Sequence, residues 1–280
     1  MSFSGHSPRK RFGQHWLKDE SILEKIIEAA DLKSLDRVLE IGPGRGALTK
    51  KLIESSVELI HGIELDVDLV VGLRKRFENE SRFTLQEGDV LSISLKPPDG
   101  KQLNKVVANI PYNITSPLLG RLIGRLGSPP EMKYHRLVLL LQKEVAQRIV
   151  SLPGKSNFSA MSVRLQLLAK CRSVCEVPPR CFTPSPKVYS QVIALDPLNE
   201  TERLDYKLEK KIDFLLRRAF SSRRKKLKNT LIGICPLNKL ETIAESQGFS
   251  LNERPQEISP KLWVGLAKGI EKLELAENEH

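Results

Sequence analysis

Asn109, Ile110, Pro111 and Tyr112 close a short apolar run that begins at Lys105, and their types suit one kind of chemistry. The exocyclic amine of adenine is a poor nucleophile because its lone pair is delocalised into the ring. Two acceptors, the Asn109 side-chain oxygen and the Ile110 carbonyl, can take the two amine hydrogens and localise that pair. Tyr112 can meanwhile stack on a base drawn out of its helix. Transfer to such an amine needs positioning and no general base of shifted pKa. The competing reading is an Asn-Pro turn after a strand, with Tyr112 packed in the core.

A second constellation precedes it. The run Val38–Ile41 empties into Gly42-Pro43-Gly44-Arg45-Gly46 and then a helical stretch, and glycines at such a turn let the backbone approach a ligand closely. Glu64 ends the next apolar run, where a carboxylate can accept from both ribose hydroxyls of a nucleoside cofactor. Asp89 follows a third run, placed either to accept from the cofactor's adenine amine or to cap the next turn. The turn reads G-x-G-x-G with Pro43 inside it, unlike the G-x-G-x-x-G dinucleotide fingerprint, so a methyl donor is favoured over a nicotinamide cofactor.

These residues need a scaffold that brings strand ends together. Short β-branched runs alternate with amphipathic stretches from about Ser21 to Leu195, the pattern of a parallel sheet covered by helices. Strands are expected at 37–41, 58–64, 83–86, 105–109, 137–141 and 188–195, and helices at 21–30, 47–54, 67–77, 116–125 and 143–151. Past Pro197 the strand signal stops and apolar residues take helical spacing at Leu208, Ile212, Leu215 and Leu216. The expected division is thus an α/β domain over 1–197 and a small all-helical, basic domain over 198–280. Hydrophobic residues at 40% and charged residues at 28% fit a folded globular chain rather than a disordered one. Cys171, Cys175, Cys181 and Cys235 lack metal-ligand spacing, so no metal is expected. No stretch reaches about 18 uninterrupted apolar residues, which disfavours membrane spanning.

The net charge of +11 points to a polyanionic partner. Basic residues gather at Arg9-Lys10-Arg11, at Arg217-Arg218 and at Arg223-Arg224-Lys225-Lys226, either as solvated faces or as a phosphate-tracking groove.

Asn109-Ile110-Pro111-Tyr112 resembles the (N/D/S)-(I/L/P)-P-(Y/F) motif of amino-methyltransferases. Arg11-Phe12-Gly13-Gln14-His15-Trp16-Leu17 and Phe182-Thr183-Pro184-Ser185-Pro186-Lys187-Val188 are similar to signature segments of the KsgA/Dim ribosomal RNA dimethyltransferases. The match runs in order from Arg11 to Val192 and implies a Rossmann-like, S-adenosylmethionine-dependent methyltransferase domain. It implies that His15, Leu17, Gly42, Gly44, Glu64, Asp89 and Asn109 line the S-adenosylmethionine site and that Tyr112 and Phe182 flank the target adenine. His15-Trp16 departs from the family's usual Asn-Phe. The implied substrate is two adjacent adenosines in the hairpin loop near the 3′ end of 16S rRNA, within the 30S subunit or its precursor. A role in ribosome biogenesis is implied with it; the four cysteines fit reduced thiols in a cytoplasmic protein, and with no obligate protein partner evident a monomer is expected. The rival readings are an Erm-like enzyme methylating 23S rRNA and a non-catalytic RNA-binding assembly or transcription factor on the same scaffold.

Overall fold

The computed structural model describes residues 14–278, and these divide into two compact units. The first runs to Gly124 and adds Pro130–Ala146 and Cys171–Pro197; the second takes Arg125–Pro129, Gln147–Lys170 and everything from Leu198. The expected boundary after Pro197 is therefore the last of several crossings. Residues 147–170 go with the helical unit because they carry a short helix and Phe158, one of its largest fully buried side chains.

In the first unit the chain forms β1 (Trp16–Leu17), α1 (Glu20–Ala30), β2 (Arg37–Ile41), α2 (Ala47–Glu54), β3 (Leu59–Glu64), α3 (Val67–Arg76) and β4 (Phe83–Glu87). It continues through β5 (Lys105–Asn109), α4 (Thr115–Leu122), β6 (Arg136–Gln142) and α5 (Lys143–Val150), which runs on into the second unit. After α6 (Ala160–Gln166) in the second unit come β7 (Ala169–Val177), β8 (Phe182–Thr183) and β9 (Ser190–Pro197). Seven strands make one sheet in the order β4-β3-β2-β5-β6-β9-β7, while β1 and β8 pair antiparallel on their own. From β4 to β6 every neighbouring pair is parallel, and β9 runs antiparallel to β6. This is the expected α/β arrangement.

The central strands read as continuous apolar runs because both faces are covered. Val38, Val107, Val138, Leu140 and Val192 pack into one cluster with Leu23 and Ile26 of α1, while Leu39, Val106, Leu137 and Leu139 are equally buried at the alternating positions. Helix α1 starts at Asp19, whose side chain accepts from the Ile22 amide, and stops where Asp31 turns left-handed at φ 48°. Strand β7, Ala-Lys-Cys-Arg-Ser-Val-Cys-Glu-Val, was not expected. It lies at the sheet edge beside β9 with only its end residues, Ala169 and Val177, buried, and Lys170 and Arg172 suit an edge that must not pair further.

The second unit is helical, with α6 joined by α7 (Tyr206–Ala219), α8 (Leu227–Thr230), α9 (Leu237–Ser246) and α10 (Pro260–Asn278). Leu208, Ile212, Leu215 and Leu216 form the buried stripe of α7 that their spacing implies, and α10 packs against α6, α7 and α9. Within this core the fully buried Glu209 receives Arg203 at 2.7 Å and the Gly127 amide at 2.8 Å, so the buried charge is paired.

Candidate active site

The strand order reverses direction between β2 and β5, and register does the rest. Ile41 pairs with Ala108 and with Ile63, and Glu64 pairs with Glu87. The turn after Ile41, Glu64, the Gly88-Asp89 turn and Asn109 therefore stand in one row at the carboxyl edge of the sheet. Ligands of doubly wound sheets bind in the crevice at such a switch point. A cavity of about 320 Å³ opens there, lined by Gly42, Gly44, Glu64, Asp89, Asn109, Ile110, Pro111, Tyr112 and His15 among others.

The glycine turn is built for close approach. Gly42 and Gly44 have φ of +65° and +61°, and a Cβ on Gly44 would lie 2.8 Å from the Trp16 ring. Glu64 is 6% exposed; Oε2 accepts from the Gly44 amide at 2.9 Å and Oε1 from the Asp66 amide at 3.0 Å. Each oxygen keeps a further lone pair. Burial pushes this carboxyl above its usual range, and the two amides offset part of the rise. Asp89 Oδ1 accepts from the Leu91 amide at 2.9 Å and caps the turn, and the residue also lines the cavity.

Asn109 donates Nδ2 to the His15 carbonyl at 2.9 Å. A carbonyl only accepts, so this bond fixes which end of the amide is nitrogen and leaves Oδ1 as its free acceptor. The Ile110 amide is taken by the Leu140 carbonyl at 3.2 Å, which ties the next residue to β6. The Tyr112 hydroxyl meets Ser190 Oγ at 2.6 Å, and burial raises the phenol above its usual range, so it stays neutral.

Leu17 and Phe182 are not brought to the cavity wall. Both are buried, at 6% and 2% exposure, facing each other across β1 and β8 in the core cluster, and neither lines the cavity. An apolar pair opposed on a two-stranded ladder is drawn into the core, and the Phe182 ring packs there. Gln14 and Trp16 line the cavity without having been singled out. Gln14 Nε2 donates to Asp66 Oδ2 at 2.9 Å, and the Arg45 guanidinium sits 4.0 Å from the Trp16 ring centroid. Gln14 and Trp16 both belong to the Arg11–Leu17 segment whose resemblance implied a place at the cofactor site for His15 and Leu17.

Of the basic residues, Arg9, Lys10 and Arg11 lie outside the described residues. Arg217, Arg218, Arg223, Arg224, Lys225 and Lys226 are all exposed in the second unit. Three of them also serve structure: Arg217 pairs with Asp213 at 3.2 Å, Arg218 donates to the Ile232 carbonyl, and Arg223 donates to the carbonyls of Ser156 and Phe158. Among the described residues no group of His, Cys, Asp or Glu is arranged to hold a metal, and no helix is long and apolar enough to cross a membrane.

Below the glycine turn, Glu40 of β2 is 1% exposed with no well-formed hydrogen bond to either oxygen. Burial, aided by the Glu64 charge, pushes its carboxyl from 4.5 up to about 8, with Thr49 offsetting part of that. A raised carboxyl destabilises the fold once it must ionise. Stability should thus fall with rising pH by about 1.4 kcal/mol per pH unit between the unfolded and folded values, then level off. Glu40→Gln removes the slope. Urea unfolding at pH 5 and pH 8 should show the variant gaining on the parent by a few kcal/mol at the higher pH; parallel pH curves would show that Glu40 does not ionise in this range.

A sequence model of the family described as "Ribosomal RNA adenine dimethylase" matches residues 5–272. The chain is 67% identical over 272 residues to "Ribosomal RNA small subunit methyltransferase A" of Prochlorococcus marinus, covering 97% of this chain and 98% of that protein. Among solved structures, a dimethyladenosine transferase from Plasmodium falciparum superposes with a TM-score of 0.76 at 30% identity, over 92% of this chain and 98% of that one. The 23S rRNA methyltransferase ErmE shares the fold, with a TM-score of 0.73 at 23% identity over 91% of this chain and 99% of that one. With the match spanning nearly all of its length, the chain belongs to the ribosomal RNA adenine dimethylase family.

Proposed function

We propose that the chain dimethylates N6 of two adjacent adenosines in the 3′-terminal hairpin loop of 16S rRNA, in the 30S subunit or its precursor, as a cytoplasmic monomer that takes part in ribosome biogenesis. The methyl donor of this ribosomal RNA adenine dimethylase is S-adenosylmethionine, which supplies an electrophilic sulfonium methyl group. The row of glycine turn, Glu64 and Asp89 at the switch point fits that nucleoside. Gly42 and Gly44 admit the donor's backbone-facing side, Glu64 accepts from its ribose hydroxyls and Asp89 from its adenine amine.

The observation that carries the reading is the fixed amide of Asn109. With its nitrogen committed to the His15 carbonyl, Oδ1 is oriented to receive one hydrogen of the target amine, and the Ile110 carbonyl the other. Pro111 holds the turn between them and Tyr112 stacks on the flipped base. The monomethylated amine still carries one hydrogen, so one acceptor suffices to present it for the second transfer. Arg217, Arg218, Arg223, Arg224, Lys225 and Lys226 take RNA phosphates, the helical domain from residue 198 acting as the basic platform.

Small subunit is preferred to large because the relative at 67% identity bears that name, whereas the likeness to ErmE is one of fold. Transfer of tritium from labelled S-adenosylmethionine to 30S particles lacking these methyl groups, with 50S particles as comparison, tests the choice. Label in 30S alone is the expected outcome; label in 50S alone would establish the Erm-like reading instead.

A further inference from the structure

Arg121, on the last turn of α4, reaches the turn that follows β4. One guanidinium nitrogen, Nη1, donates to the Val90 carbonyl and the other, Nη2, to the Ile93 carbonyl. A second edge of the group is held by Glu131 Oε2, 3.0 Å from Nε and 2.7 Å from Nη2. The Arg121 side chain is 17% exposed and that of Glu131 42%, so the contact to the turn is the inner one. Two carbonyls taken at once, with a counter-charge behind, require a planar fork of donors. Arginine supplies that, whereas a lysine ammonium is a single point that takes one carbonyl well.

The turn held in this way carries Asp89. The Asp89 carbonyl accepts from the Ser92 and Ile93 amides at 2.8 and 3.0 Å, and its Oδ1 accepts from the Leu91 amide at 2.9 Å. Three successive amides thus converge on Asp89, while the carbonyls of Val90 and Ile93 go to Arg121. With Oδ1 committed, Oδ2 is the oxygen left for the donor's adenine amine, and its direction follows the turn. Asp89 and Val90 line the cavity, but Arg121 does not. The helix that bears Arg121 starts at the other end of the site, where Thr115 Oγ1 donates to the Tyr112 carbonyl at 3.3 Å. One short helix therefore joins the turn that holds the target amine to the turn that meets the donor's adenine.

We propose that Arg121 is a positioning residue for the methyl donor: by taking the Val90 and Ile93 carbonyls it staples the Asp89 turn to α4 and aims the Asp89 carboxylate at the donor's adenine amine. This rests on the reading of Asp89 given above. A carboxylate held still discriminates adenine from a base with a carbonyl in place of the amine, because it cannot swing away from the oxygen that repels it. Without Arg121 the two carbonyls lose their partner and the turn is free to shift. A displacement of about 1 Å is enough to spoil the geometry on which the preference depends.

S-adenosylhomocysteine and S-inosylhomocysteine, the second with a carbonyl where adenine has its amine, read this positioning without any methyl transfer. By calorimetry the wild-type protein should favour the adenosyl ligand about 10²-fold. Arg121→Met should cut that preference below about 10-fold, chiefly by losing affinity for the adenosyl ligand, and Arg121→Lys, which keeps one carbonyl bond, should fall between the two. A merely structural role would lower the thermal midpoint and weaken both ligands alike. A ratio in Arg121→Met equal to that of wild type would therefore overturn the proposal. If the Met variant melts early, the ratio in Arg121→Lys decides in the same way. Asp89→Asn keeps an acceptor for the Leu91 amide and turns a donor towards the adenine amine, so it should abolish the preference. A preference that survives Asp89→Asn strikes the reading of Asp89 itself, whereas one lost there and kept in Arg121→Met tells against Arg121 alone.

Discussion

Asn109→Ala should lower single-turnover methyl transfer to adenine about 10²–10³-fold, the cost typical of removing one preorganised hydrogen-bonding group from a reacting centre. Two losses combine. The acceptor for the amine hydrogen goes, and so does the tie from Nδ2 to the His15 carbonyl that holds residues 14–16 against the cavity. The side chain is only partly buried, so no core cavity forms and the thermal midpoint should hold within a few degrees. Asn109→Asp is the sharper variant: it keeps an acceptor but sets a carboxylate against the His15 carbonyl, where a donor is required. Both variants should be slow, and a fully active Asn109→Ala would remove the amine-holding role.

Glu64→Ala should raise the dissociation constant for S-adenosylmethionine about 10²-fold while leaving the rate at saturation little changed. Hydrogen bonds to charged acceptors are worth about 1.5–3 kcal/mol each, and two hydroxyls share this carboxylate. The same carboxylate holds the Gly44 and Asp66 amides, so part of the loss comes from a relaxed glycine turn. Glu64→Gln retains one acceptor and should lose about 10-fold. Calorimetric titration checks both, and an unchanged affinity in the Ala variant would place the ribose elsewhere.

Much of this was legible in the sequence for physical reasons that differ by element. The central strands β2 and β5 have the expected bounds because burial on both faces forces unbroken apolar runs, and Gly42, Glu64, Asp89 and Asn109 converge because each closes a strand of one parallel sheet. Strand β7 was hidden because its edge position tolerates Lys, Arg, Ser and Glu, which erases the apolar signal. The placement of 147–170 with the helical unit depends on tertiary packing of Phe158 and α6, which no local period encodes. Phe182 and Leu17 went to the core for a similar reason: whether an aromatic beside a proline-rich loop faces a ligand or a partner strand is settled by a pairing 165 residues apart (Leu17↔Phe182). The tie from Asn109 to His15 spans 94 positions and left no trace in the spacing of either motif.

The central claim is that one held amine is methylated twice, at each of two neighbouring adenosines. Mass spectrometry of the nuclease fragment carrying the hairpin loop, after 30S particles lacking the modification are incubated with the protein and S-adenosylmethionine, tests it most directly. The expected fragment is heavier by four methyl groups, two on N6 of each adjacent adenosine. A fragment with methyl groups on a single adenosine, or on any atom other than N6, would contradict it.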